Sequence, residues 1–325
     1  MDAIRNGTPE RIEQQSHLLR IQPNKSTTGA PQRPGRSLAR QRKGITGASI
    51  RSMNRIVVSG VALEVAHIPG PTNRAPLVFL HEGLGSVSLW QQRGRLWPAE
   101  VCAASGRAGW MYSRRGYGQS DPVEDVRGEP RHNGPWHIGR HEPDYMHLEA
   151  NHVLPQVLEQ LGISRPVLVG HSDGATIALL HAAHHEVAAC VAMAPHVFVE
   201  DISLRAIEQA RHLYQTDPDA TGGLRQRLAR HHRDVDNAFW QWNDVWLSDA
   251  FRNFDIRAEM RSINAPLLLV QGADDEYGSM EQLNSIETAT ADVTRLALMQ
   301  CGHSPHRDQP DRLIDAVQRF LTHII

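Results

Sequence analysis

The residues best placed to do chemistry are Gly170-His171-Ser172-Asp173-Gly174. They follow the apolar run 166–169 (PVLV) directly and lead into ATIALLHAAHH, whose apolar residues recur at helical spacing. A bare GxSxG pattern arises in many loops, and a serine there can simply cap a helix. The strand before and the helix after point instead to a nucleophile. The glycines let neighbouring backbone approach, and the tight turn lifts the hydroxyl to a helix N-terminus. A serine hydroxyl is nearly inert at its own pKa, so it needs a base within hydrogen-bond reach and a third group that holds the base in one tautomer.

Both are available downstream. After the apolar run 266–270 (PLLLV) comes the acid-rich segment Gln271-Gly272-Ala273-Asp274-Asp275-Glu276-Tyr277-Gly278, at a strand's carboxyl end, where α/β sheets place functional groups. After the last strand-like run comes Cys301-Gly302-His303-Ser304-Pro305-His306. With 19 histidines in the chain, position is what singles out His303, on a loop before the final helix, with His306 as the alternative base. His171 belongs to the turn itself and is expected to point elsewhere. The order serine, acid, histidine fits this strand-turn-helix context. Backbone N–H groups to stabilise a developing oxyanion are expected from Asp173 and from the loop His81-Glu82-Gly83-Leu84-Gly85-Ser86, through Leu84 or, as the alternative, Gly83.

Such groups must be carried by a sheet. From Met53 onward, short apolar runs alternate with helical patterns, which predicts an α/β protein with a mostly parallel central sheet and helices on both faces. Residues 55–58 and 61–68 read as an antiparallel hairpin, and 76–81, 110–112, 166–169, 187–193, 266–270 and 294–299 as central strands. Helices are expected over 89–103, 144–161, 175–185, 280–289 and 311–321. Residues 200–263, helical in composition and lying between two strands, read as an inserted helical lid. Its aromatics Phe239, Trp240, Trp242, Trp246, Phe251 and Phe254 are expected mainly to pack, with at least one facing the site.

The chain has 325 residues, 40% hydrophobic and 22% charged, which is ordinary globular composition. A formal net charge of −2 gives no electrostatic reason to expect nucleic acid as a partner. Residues 1–52 hold ten Lys or Arg against Asp2, Glu10 and Glu13, so they carry +7 and the remainder −9. That stretch has too few apolar residues to order itself. It reads as a disordered basic tail, or as sequence ahead of a true start at Met53, rather than as a targeting peptide. Three cysteines without a CxxC pair argue against a disulfide framework or a cysteine-rich zinc site. No run is long enough to span a bilayer and no secretory signal core is present, so no membrane contact and a cytoplasmic location are expected.

The loops HEGLGS, YSRRGYGQSDP, GHSDG, GADDEYG and CGHSPHRDQP resemble, in succession, the signature loops of α/β-hydrolase-fold serine hydrolases of the esterase kind, from about Met53 to the end. The resemblance implies the α/β-hydrolase fold over 53–325 and no metal or organic cofactor. It also implies Asp275 as the acid, since the family's acid stands three residues after the loop glycine. Two departures stand out: Glu82 occupies a usual glycine position, and Asp173 follows the nucleophile where Met, Leu or Gln is common. Both put an acid near the entrance. Arg114 and Arg115 are read as structural ion-pairing residues that offset it.

The expected activity is hydrolysis of a small-molecule carboxylic ester or thioester through an acyl-enzyme on Ser172. The same residues would serve a carbon–carbon bond hydrolase or a lactonase, and a non-catalytic ligand-binding protein on this scaffold is a third reading. Oligomeric state is left open.

Overall fold

The computed structural model describes residues 52–324 except 134–135 and 217–220. The basic segment therefore lies outside the described residues but for Ser52. Eight strands form one sheet: β1 (Ser52–Val58), β2 (Val61–Ile68), β3 (Leu77–Leu80), β4 (Gly109–Tyr112), β5 (Val167–His171), β6 (Ala189–Met193), β7 (Leu267–Gly272) and β8 (Val293–Leu298). Their order is β1-β2-β4-β3-β5-β6-β7-β8. The β1–β2 hairpin is antiparallel, with Val58 opposite Val61, and β2 runs antiparallel to β4. Every pairing from β4 to β8 is parallel.

Along β3, β5 and β7 both faces are buried, which is why these strands read as continuous apolar runs. Phe79, Val169 and Val270 belong to one core layer with Trp90, Trp97 and Val317. The helices are α1 (Trp97–Ser105), α2 (Tyr145–Leu148, a π turn at Glu149–Val153, then Leu154–Gln160), α3 (Asp173–His184), α4 (Asp201–Thr216), α5 (Leu224–Leu228), α6 (Val235–Trp246), α7 (Glu281–Glu287), α8 (Pro305–Asp308) and α9 (Pro310–Phe320).

Two expectations change. The helix read over 89–103 begins only at Trp97, with Pro98 in its first turn. Arg93 and Gly94, both at positive φ, instead close a small ribbon of Gln91–Gln92 and Arg95–Leu96. The helix read over 144–161 is one stretch interrupted by a π turn. Pro155 has no N–H for the carbonyl four residues back, and the turn absorbs the gap.

The insert between β6 and β7 contains α4, α5 and α6. Its stems pair with each other before the chain returns to the sheet: Ile256 N–H donates to Val197 C=O at 2.8 Å, and Val199 N–H to Phe254 C=O at 3.2 Å. Tyr214 and Phe239 stack at 3.7 Å to join α4 and α6. No described helix is long and apolar enough to cross a membrane.

Candidate active site

The turn between β5 and α3 holds Ser172 at φ 53°, ψ −121°, a conformation that costs about 1–3 kcal/mol for a residue with a side chain. Ser172 N–H donates to Met193 C=O at 2.9 Å, and its carbonyl accepts from Ala175 and Thr176 in the first turn of α3. Space dictates the flanking glycines. A Cβ on Gly174 would stand 2.1 Å from Leu80 O, and one on Gly170 2.2 Å from Gly174 O. The Ser172 hydroxyl has no hydrogen-bond partner among the described residues.

Asp275 and His303 are brought together by lacing between the loops after β7 and β8. Asp274 N–H donates to Cys301 C=O at 2.9 Å, Ala273 N–H donates to Leu298 C=O at 2.8 Å, and Gly272 lets the loop carrying Cys301 pass directly over it. His303 Nδ1 lies 2.9 and 3.0 Å from the two oxygens of Asp275. A carboxylate only accepts, so Nδ1 carries the proton and Nε2, which has no partner among the described residues, is left to take one. Asp275 is buried and also accepts from Tyr277 N–H at 2.8 Å and from Gln271 Nε2 at 2.6 Å, whereas Asp274 is exposed.

Burial works against charge on both members, but their mutual attraction wins: His303 is raised above its ordinary value and Asp275 is held below the usual carboxylate range. Glu276, partly buried and accepting from His303 N–H at 3.2 Å, is pushed up by burial.

His171, expected to point elsewhere, faces the site. Its Nε2 lies 2.7 Å from the His303 carbonyl, and its ring lies 5.1 Å from that of His303 and 4.8 Å from that of His306. The residue before Ser172 is thereby tied to the loop that carries His303. His306 is buried against Trp90 and Trp97, and its Nδ1 has no partner where that of His303 has Asp275; burial drives its pKa well down.

The two unusual acids both have partners within the fold. Glu82 Oε2 sits 3.4 Å from His171 Nδ1; burial opposes its charge, but hydrogen bonding and attraction to His171 hold it well below the usual range. The Asp173 carboxylate, expected near the entrance, is 1% exposed. It accepts from Tyr145 OH at 2.6 Å, which accepts in turn from Trp246 Nε1 at 3.0 Å, and lies 4.0 Å from Arg114. Burial nevertheless raises its pKa.

Arg114 also ties down the loop after β3, donating to His81 C=O at 2.5 Å and Glu82 C=O at 3.0 Å. Gly85 N–H donates back to Glu82 C=O at 3.0 Å. In a trans peptide the N–H points opposite to the carbonyl, so fixing Glu82 C=O also fixes the Gly83 N–H. Among the described residues the N–H groups of Gly83, Leu84 and Asp173 donate no hydrogen bond.

Two aromatics of α6 reach the site. A Cβ on Gly83 would lie 2.2 Å from Trp242 Nε1, so that indole covers the loop, and the Trp246 ring meets His196 edge-on at 5.1 Å. The His196 ring is 5.7 Å from that of His303; its Nδ1 has no partner, and burial lowers its pKa to about 3. Gln271, His196 and His171 are the site residues to which the motifs gave no role. Gln271 is the next-to-last residue of β7 and His196 follows β6, places where polar residues in an apolar context were a usable signal. Among the described residues no group of three or more His, Cys, Asp or Glu is arranged to hold a metal.

A model of the alpha/beta hydrolase family matches residues 77–316. The chain is similar to the mouse sn-1-specific diacylglycerol lipase ABHD11, 25% identical over 205 residues, covering 56% of this chain and 67% of that protein. Among solved structures it resembles the enol-lactonase from Burkholderia xenovorans, with TM-score 0.61 and 16% identity over 83% of this chain and all (100%) of the other. It also resembles a meta-cleavage product hydrolase from Pseudomonas fluorescens, with TM-score 0.61 and 16% identity over 82% of this chain and 96% of the other.

Proposed function

Because the chain belongs to the alpha/beta hydrolase family, and is a hydrolase, we propose that it cleaves a carboxylic ester or thioester of a small molecule through an acyl-enzyme on Ser172. One observation carries the reading: Ser172 stands on a strained turn, and the residue before it is bonded to the loop whose histidine is paired at 2.9 Å with a buried carboxylate.

In this reading Ser172 Oγ attacks the substrate carbonyl while His303 Nε2 takes its proton. Asp275 stabilises the imidazolium that forms. The N–H of Asp173, with that of Leu84 or Gly83, receives the negative charge of the tetrahedral intermediate. His303 returns the proton to the leaving oxygen or sulfur, and a water activated by the same nitrogen releases the acid. These steps need neither metal nor organic cofactor. The insert acts as a lid, with Trp242 and Trp246 giving the site an aromatic wall suited to an apolar acyl or alcohol group.

The test is hydrolysis of p-nitrophenyl esters of rising acyl length by wild type and Ser172→Ala, with fluorophosphonate labelling alongside. A burst in the wild type, labelling at Ser172 and a fall of about 10⁴-fold or more in the variant are expected. A wild type that neither turns over nor labels would sink the proposal in favour of ligand binding without catalysis.

A further inference from the structure

The short segment between α5 and α6 makes an unusual set of contacts. Ser88 Oγ meets His231 Nδ1 at 2.9 Å, and Arg233 N–H donates to Gly118 C=O at 2.8 Å. Between them His232, 5% exposed, bridges two loops of the body: Gly118 N–H donates to its Nδ1 at 3.0 Å, and its Nε2 lies 3.0 Å from Leu84 C=O. One partner only donates and the other only accepts, so a single neutral tautomer satisfies both, with the proton on Nε2. Burial, which lowers the pKa of this ring to about 4, favours that neutral form.

The Leu84 carbonyl has no other partner among the described residues, whereas Gly118 is also held by Arg233. The loop from His81 to Gly85 is thus anchored at one end by Arg114 and at the other by a residue of the insert.

We infer that His232 is a positioning residue for the oxyanion-binding loop: through Leu84 C=O it makes the placement of the Leu84 N–H depend on the insert being seated, whereas the Gly83 N–H is held from the body by Arg114. This rests on the serine-hydrolase reading above. The position of the Leu84 donor matters more as charge develops on the substrate oxygen than in the ground state, so loosening it lowers kcat more than it raises KM.

Three variants separate this role from plain packing. In His232→Asn the amide oxygen takes the place of Nδ1 and keeps the Gly118 bond, but nothing reaches Leu84. In His232→Gln the amide nitrogen reaches as far as Nε2 and keeps the Leu84 bond. His232→Ala loses both. With p-nitrophenyl esters, kcat is expected to fall about tenfold or more in the Asn and Ala variants with KM changed by less than about threefold, and to stay within about threefold of wild type in the Gln variant. Hydrogen–deuterium exchange of the peptide spanning 81–86 should rise in the Asn but not the Gln variant. Should the Ala variant not fold, the Asn and Gln pair decides. An Asn variant with wild-type kcat and wild-type exchange overturns the inference. If wild type proves inert on esters and unlabelled by a fluorophosphonate, it is the esterase reading that fails. Exchange then judges the tether alone: faster in Asn than in Gln supports it, equal in both overturns it.

Discussion

The site is assembled from two regions of different construction. The body supplies Ser172, Asp275 and His303 through backbone geometry: a residue held at positive φ, glycines where no Cβ fits, and two loops laced by main-chain hydrogen bonds. The insert contributes side chains laid over the body from outside: Trp242 on Gly83, Trp246 toward His196 and Tyr145, and His232 on Leu84. Backbone-built parts tolerate little change, while docked side chains can be altered singly.

If this contrast holds, damage to the body should be severe and damage to the insert graded. Asp275→Asn keeps the shape but turns an amide toward His303 Nδ1. It should lower kcat by about 10⁴-fold, read from ester hydrolysis on protein with unchanged melting behaviour. A loss of less than tenfold would mean that another group orients His303. Gly174→Ala forces a methyl onto the Leu80 carbonyl and should cost about 3 kcal/mol or more of stability by urea titration, since backbone on both sides blocks relaxation. Trp246→Phe, in the insert, keeps the aromatic contact but removes the donor to Tyr145, and should cost about 1 kcal/mol with KM more affected than kcat. An effect as large as that of Gly174→Ala would erase the distinction.

A pH profile sharpens the same comparison. In the proposed mechanism His303 acts as base when neutral; burial opposes its charge, but Asp275 raises its pKa above the ordinary 6.5. Activity should therefore rise with pH through a midpoint above 6.5 in kcat/KM. Without the carboxylate in Asp275→Asn that midpoint should move down. An unmoved midpoint would assign the titration to a different group.

Much of the body was legible in the sequence because its determinants are local. GHSDG sits between a strand and a helix, and the runs PLVFL, PVLV and PLLLV announce strands buried on both faces. Asp275 meets His303 because both follow the carboxyl ends of adjacent strands, a relation that chain order already contains. What sequence could not show are contacts between residues far apart in the chain. The His171 ring reaches a carbonyl 132 positions away, Asp173 is sequestered by Tyr145 and Trp246, and His232 finds Leu84 at a separation of 148. Each depends on how the insert and loops dock, and no periodicity records that. Pro155 and Arg93-Gly94 broke two predicted helices by local rules that apolar spacing alone did not weigh.

The paired stems of the insert have a wider consequence. A crossover between neighbouring parallel strands needs only about a dozen residues, yet the chain spends 194–266 on this one. Because Val197 and Val199 are bonded to Ile256 and Phe254, the excursion leaves and returns through a single neck. The neck lets the insert change in length while β6 and β7 keep their register, but whatever replaced 200–253 would have to remake the bonds to Val123, Gly118 and Leu84 by which the insert is seated, so selectivity and seating would change together.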